Sequence, residues 1–122
     1  MDIDREVAEK VMGWVTTITN HRAGLHMRRS EGVYNDDSGK FVCYKLSFTP
    51  STNIAQAFEV VEKMQKGGWK FFSIEVDDLY NGGMWKAVFY TPPNPFIEYA
   101  DTPATAICLA ALKAIEPGRE GG

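Results

Sequence analysis

Sulfur and imidazole are both scarce, with two cysteines and two histidines in 122 residues. Cys43 and Cys108 stand among apolar neighbours without metal-ligand spacing, so they read as buried free thiols and not as a disulfide framework or a zinc site. No apolar run reaches bilayer-spanning length, and Met1-Asp-Ile-Asp-Arg-Glu6 lacks the basic and apolar regions of a signal peptide. A reducing cytosol is the expected compartment. A basic excess is missing too: the formal charge of −3 argues against generic nucleic-acid binding, though not against a local basic patch. Nucleophile elbow, Walker loop, dinucleotide fingerprint, metalloprotease helix and deaminase motif are all absent. The expectation is a non-catalytic protein that needs no cofactor and no metal.

What is present is densest between Phe48 and Val76. Pro50 interrupts a ladder, and Ser51-Thr52-Asn53 supplies short polar side chains where a helix can begin. Asn53 with Gln56 resembles a capping box. Ile54, Ala57, Phe58, Val61 and Met64 recur at helical spacing, opposite Glu59, Glu62, Lys63 and Lys66. Gly67-Gly68 suits a left-handed helix stop, and Trp69 to Val76 resumes with strand formers. The unit reads as β-α-β with a right-handed crossover.

The flanking segments extend this pattern. A first helix is predicted over about 5–12, capped by Asp4 and stopped by Gly13, with Trp14 covering its end. Val15 to Thr19 is β-prone, but the residues up to Ser30 follow no period and read as loop with strand character at most. Val33-Tyr34 and Phe41–Phe48 read as a hairpin across 35–40, and Trp69–Val76 with Met84–Thr91 as a second hairpin across Asn81-Gly82. Pro92, Pro93 and Pro95 are expected to end the ladder and lead to a last helix, with Thr102 as cap and Pro103 in its first turn. The predicted fold class is α+β: a single domain over 1–122, a three-layer α/β/α sandwich around one mainly antiparallel four-stranded sheet, in the order α-β-β-α-β-β-α. Residues 117–122 read as a frayed tail.

Three stretches together resemble a known family: Val7-Ala-Glu-Lys-Val-Met-Gly-Trp14, Phe48-Thr-Pro-Ser-Thr-Asn-Ile-Ala-Gln-Ala-Phe-Glu-Val-Val-Glu-Lys-Met64 and Ala104-Thr-Ala-Ile-Cys-Leu-Ala-Ala-Leu-Lys-Ala114. They are similar to the phage ABA sandwich domain of small bacteriophage and prophage proteins. The resemblance implies an α/β/α fold, viral origin and residence in the host-cell cytoplasm. It transfers no catalytic residue.

Candidate binding residues fall in three places. Arg22, His26, Arg28 and Arg29, with His21, concentrate charge able to grip phosphate or carboxylate; the bland alternative is a solvated loop. Ser51, Thr52 and Asn53 stand where helix N–H groups meet an anion, or merely cap the helix. Among the aromatics, Tyr80 is the least core-like and the best placed to stack on a ring. Asp36-Asp37-Ser38-Gly39 lacks the ligand alternation of a calcium loop and reads as a turn. With the phage resemblance, these features lead to the expectation of a protein that sequesters a small anionic ligand, such as a cyclic nucleotide or an ADP-ribose-like signal of host defence. A domain this small encloses little ligand alone, so a homo-oligomer is expected. The alternatives are a module that binds a host or phage protein, and a nucleotide-cleaving enzyme.

Overall fold

The computed structural model describes residues 2–23, 27–69, 71–77, 84–91 and 94–115, with side chains outside 18–31, 71, 77 and 91. Helix α1, Ile3–Glu6, continues into a π-helical segment, Val7–Val11. Its cap is Asp2, whose carboxylate accepts the Arg5 N–H at 3.1 Å, where the sequence pointed to Asp4. Gly13 then reverses the chain at φ 76°, as expected of a helix stop. Strands β1 (Val15–Ala23), β2 (Met27–Asn35) and β3 (Phe41–Tyr44) follow, then a 3-10 turn (Lys45–Ser47) and helix α2 (Ile54–Lys66). Strands β4 (Phe71–Asp77), β5 (Met84–Thr91) and β6 (Asn94–Ala100) lead to helix α3 (Pro103–Ile115).

The α+β class holds, but the single four-stranded sheet does not. The strands form two three-stranded antiparallel sheets, ordered β1-β2-β3 and β4-β5-β6. The chain that runs through α2 therefore passes from one sheet to the other, and no crossover inside one sheet exists between β3 and β4. Two strands account for the difference. The aperiodic stretch after Thr19 pairs with β2 in unbroken register from Val15↔Asn35 to Ala23↔Met27. Residues 94–100, expected as a connector, pair with β5 from Thr91↔Asn94 to Trp85↔Ala100. Pro95 is tolerated there because β6 is an edge strand, where one side of the backbone carries no ladder bonds. At the other boundary β3 stops at Tyr44, four residues short of the predicted strand end at Phe48.

One core serves both sheets and all the helices. It gathers Val7, Ala8 and Val11 from the first helix, Tyr34 from β2, Val60 and Met64 from α2, Ala87 and Phe89 from β5, and Ile107, Cys108 and Leu112 from α3. Helix α3 is its hub, packing on β5, β6, α2 and the π-helical segment. Ala106, Ala110 and Ala111 are fully buried along with Ile107 and Cys108, so small side chains let α3 lie close to neighbours on most of its circumference. Burial of a side chain such as Phe89 or Ile107 stabilises by roughly 1.5–3 kcal/mol. In α2 the buried stripe is Ala57, Val60, Val61 and Met64, rotated from the predicted one: Ile54 and Phe58 are 43% and 44% exposed. Phe58 instead leans edge-on toward Phe72 of β4, ring centroids 6.3 Å apart.

Candidate functional site

The β1–β2 pairing sets a patternless basic stretch into two adjacent cross-strand pairs. Register sets Arg22 directly opposite Arg28, and His21 directly opposite Arg29. Four of the chain's basic or imidazole residues thus occupy two successive cross-strand positions, and alternation along a strand assigns the two pairs to opposite faces of the sheet. Like charges in directly opposed positions work against an antiparallel pair by about 0.2–1 kcal/mol, a cost that a bound anion would remove.

The turn before α2 is built differently. Asn53 Oδ1 accepts the Gln56 N–H at 3.1 Å, and the Gln56 side chain reaches back, its Oε1 accepting from Thr49 N–H at 2.7 Å and its Nε2 donating to the Ser47 carbonyl at 2.8 Å. The predicted capping box is therefore present in an extended form, holding the 3-10 turn to the helix. Ser51 is gripped from two sides: its N–H donates to Asp4 Oδ1 at 2.8 Å, and its carbonyl accepts from Thr105 Oγ1 at 2.8 Å. Thr105 is itself fixed by Thr102, whose Oγ1 accepts the Thr105 N–H at 3.2 Å. Asp4, expected as a local cap, thus joins α1 to the α2 turn and, through Ser51, to α3. A carboxylate already sits on the Ser51 N–H, so the charge beside this turn is negative.

Two concavities flank the first helix. One, of about 110 Å³, lies among Asp2, Asp4, Tyr34, Lys45 and Phe48. The Tyr34 hydroxyl is pushed up to about 12, first by burial and then by the nearby Asp2 and Glu9 carboxylates. The larger, of about 420 Å³, is lined by Val11, Met12 and Trp14, by Asp36 and Asp37 of the β2–β3 turn, and by Lys63 of α2. Trp14 packs 4.8 Å from Phe48 and 5.7 Å from Tyr34 between ring centroids. Asp36 Oδ1 accepts from Ser38 Oγ at 2.6 Å and from the Ser38 and Lys40 N–H groups at 2.9 Å, bonds that hold its carboxyl below the usual range. These bonds make the turn the sequence called for. Edge strand β3 and the following 3-10 turn expose Phe41, Tyr44 and Leu46, the last at 83%.

The model of the phage ABA sandwich domain matches residues 5–112, from α1 almost to the end of α3. The chain belongs to this family. A phage protein from Bacillus cereus ATCC 14579, known from its crystal structure, shares the fold with a TM-score of 0.64 at 23% identity, over 93% of this chain and 84% of that one. Comparison with curated proteins found no match.

In this phage ABA sandwich domain the predicted site residues fall on separate elements. Arg22, Arg28 and Arg29 come together on the β1–β2 hairpin; His26 and Tyr80 lie outside the described residues. Ser51, Thr52 and Asn53 occupy the α2 turn, where Thr52 Oγ1 donates to the Thr49 carbonyl at 3.3 Å. Among the described residues no group of three or more His, Cys, Asp or Glu side chains could hold a metal ion, and no helix is long and apolar enough to cross a membrane. The larger cleft went unread in the sequence because its residues lie on three elements. Only the Gly13 stop followed at once by Trp14 hinted at a ring exposed beside a helix end.

Proposed function

We propose that the chain is a non-catalytic binding protein of phage or prophage origin that captures a small anionic, nucleotide-type molecule at the β1–β2 hairpin, in the host-cell cytoplasm. The ligand class is that of a cyclic nucleotide or an ADP-ribose-like signal, and capture, not turnover, removes it from host defence. The single observation that supports the reading is the pairing of Arg22 with Arg28 and of His21 with Arg29. A net acidic chain sets Arg22 directly against Arg28, and a phosphate offers several acceptor oxygens to offset the repulsion of such a pair. The defence context comes from the family alone. The Ser51 turn is left out of the site, since Asp4 already occupies its N–H.

The test is native mass spectrometry of protein purified from a nucleotide-rich lysate, followed by denaturing release of bound small molecules. An intact nucleotide that is lost in R22E/R28E supports capture. Recovery of a cleaved product instead would replace binding with catalysis.

A second reading, a module that docks on another polypeptide, is favoured by the exposed apolar side chains of edge strand β3 and Leu46. A free edge accepts a strand through its backbone, and its side chains supply the apolar contact. A second copy of this chain is the occupant we expect there, which would bring two hairpins into one assembly. Light scattering of Leu46→Asp decides this: a dimer or larger species that becomes a monomer supports self-association through β3. An unchanged mass rejects it.

A further inference from the structure

The geometry points to a second binding site, independent of the basic hairpin: the 420 Å³ cleft between the first helix, the β2–β3 turn and α2, shaped for a small amphoteric molecule with a flat ring. Its volume falls in the range of small-molecule sites, which run from about 300 to about 1,000 Å³. Its walls divide by chemistry. Val11, Met12 and Trp14 give an apolar side, and the Trp14 indole packs on Tyr34 and Phe48, which lowers the cost of ordering it for a ligand. Asp36 and Asp37 give acceptors, and Lys63 gives a cationic donor.

The deciding feature is that these opposite charges share one cleft without meeting. Among the described residues, Lys63 makes no ion pair with either aspartate, although long side chains at a surface readily reach a nearby partner. The Asp36 carboxylate is held on its turn by Ser38 and Lys40, so it does not swing across to close the gap. A ligand that spans the gap needs N–H donors at one end and a phosphate or carboxylate at the other, with a ring between them for Trp14. Gly13 leaves the rim open: a Cβ placed there would meet nothing within 4 Å.

Adenosine 5′-monophosphate is the probe, since it carries an exocyclic amine, a purine and a phosphate. It is titrated into the full chain through the millimolar range and followed by the indole N–H resonance of Trp14 in a proton–nitrogen correlation spectrum, assigned with Trp14→Phe. The expected result is a saturable shift of that resonance. Adenosine, which lacks the phosphate, should bind about tenfold more weakly, the loss of one contact of about 1.4 kcal/mol, and ribose 5-phosphate, which lacks both ring and amine, more weakly still. Lys63→Glu should weaken adenosine 5′-monophosphate by about tenfold or more while leaving adenosine unchanged. Lys63 is exposed, so this variant keeps the fold, and the dispersion of the same spectrum verifies it. R22E/R28E should leave the Trp14 response intact, which separates this cleft from the hairpin. An unmoved Trp14 resonance overturns the proposal. So does a shift that Lys63→Glu does not weaken, or one that disappears in R22E/R28E.

Discussion

The ties on Ser51 offer the sharpest test of how this fold is held. Asp4 Oδ1 accepts the Ser51 N–H at 2.8 Å across 47 positions of sequence, and Thr105 Oγ1 donates to the Ser51 carbonyl at 2.8 Å across 54. A hydrogen bond to a charged group contributes about 1.5–3 kcal/mol net, and a neutral one about 1 kcal/mol. Both are partly buried, so water replaces neither fully. Asp4→Ala should therefore destabilise by about 2 kcal/mol, Thr105→Val by about 1 kcal/mol, and Asp4→Asn by less than Asp4→Ala because an acceptor oxygen survives. The two ties act on one residue, from the peptide units on either side of its Cα, so once the first is cut the turn relaxes and the second is worth less. Asp4→Ala/Thr105→Val should cost less than the sum of its parts by at least about 0.5 kcal/mol. Urea unfolding followed by far-ultraviolet circular dichroism measures all four, with a common m-value confirming that only stability has changed. Single losses below about 0.5 kcal/mol, or strict additivity in the double variant, would refute the idea of a shared lock.

Two further outcomes follow from burial and backbone geometry. Tyr34 and Cys108 each have values near 12 in the folded chain, above the ordinary 10.0 and 9.0, burial being the first cause for both. The folded state thus holds their protons after the unfolded chain releases them; stability is complete below about pH 9 and falls above it, by about 1.4 kcal/mol per pH unit for each group. Tyr34→Phe should flatten the alkaline decline of the urea midpoint, and an unaltered slope would count against Tyr34 as its source. Gly68 ends α2 at φ 106°, so Gly68→Ala should lower stability by about 1–2 kcal/mol in the same assay; a neutral change would mean that the helix end rearranges at no cost.

Helices proved legible because their signals are local. The 3.6-residue period of α3, its Thr102 cap and Pro103 start, and the Asn53–Gln56 pair before α2 each act within a few residues, and each stands as expected. The β4–β5 hairpin was legible for the same reason. Failures appear where a partner decides the conformation. Residues 20–23 and 27–29 carry no period of their own, and it is the nine consecutive pairings between β1 and β2 that make them strand. Residues 94–100 open with Asn94-Pro95, which in isolation forbids a strand and on an unpaired edge does not. Asp4 reads as a cap because it precedes a helix, and only the tertiary fold reveals that Asp2 caps while Asp4 reaches Ser51.

The same division governs the candidate sites. The Arg22–Arg29 segment was visible as composition, yet its meaning depends on register: a slip of one residue in the β1–β2 pair would set Arg22 against Arg29 or Met27 and undo the Arg22–Arg28 and His21–Arg29 pairings. Observed register sets Arg22 directly against Arg28. Tyr34, fully buried and packed on Trp14 and Phe48, fixes that register from the far end of the hairpin, because a one-residue shift would turn its ring away from them. Packing around Tyr34 therefore sets the charge arrangement at the other end of the hairpin, and substitutions that loosen Tyr34 should weaken anion capture without touching an arginine.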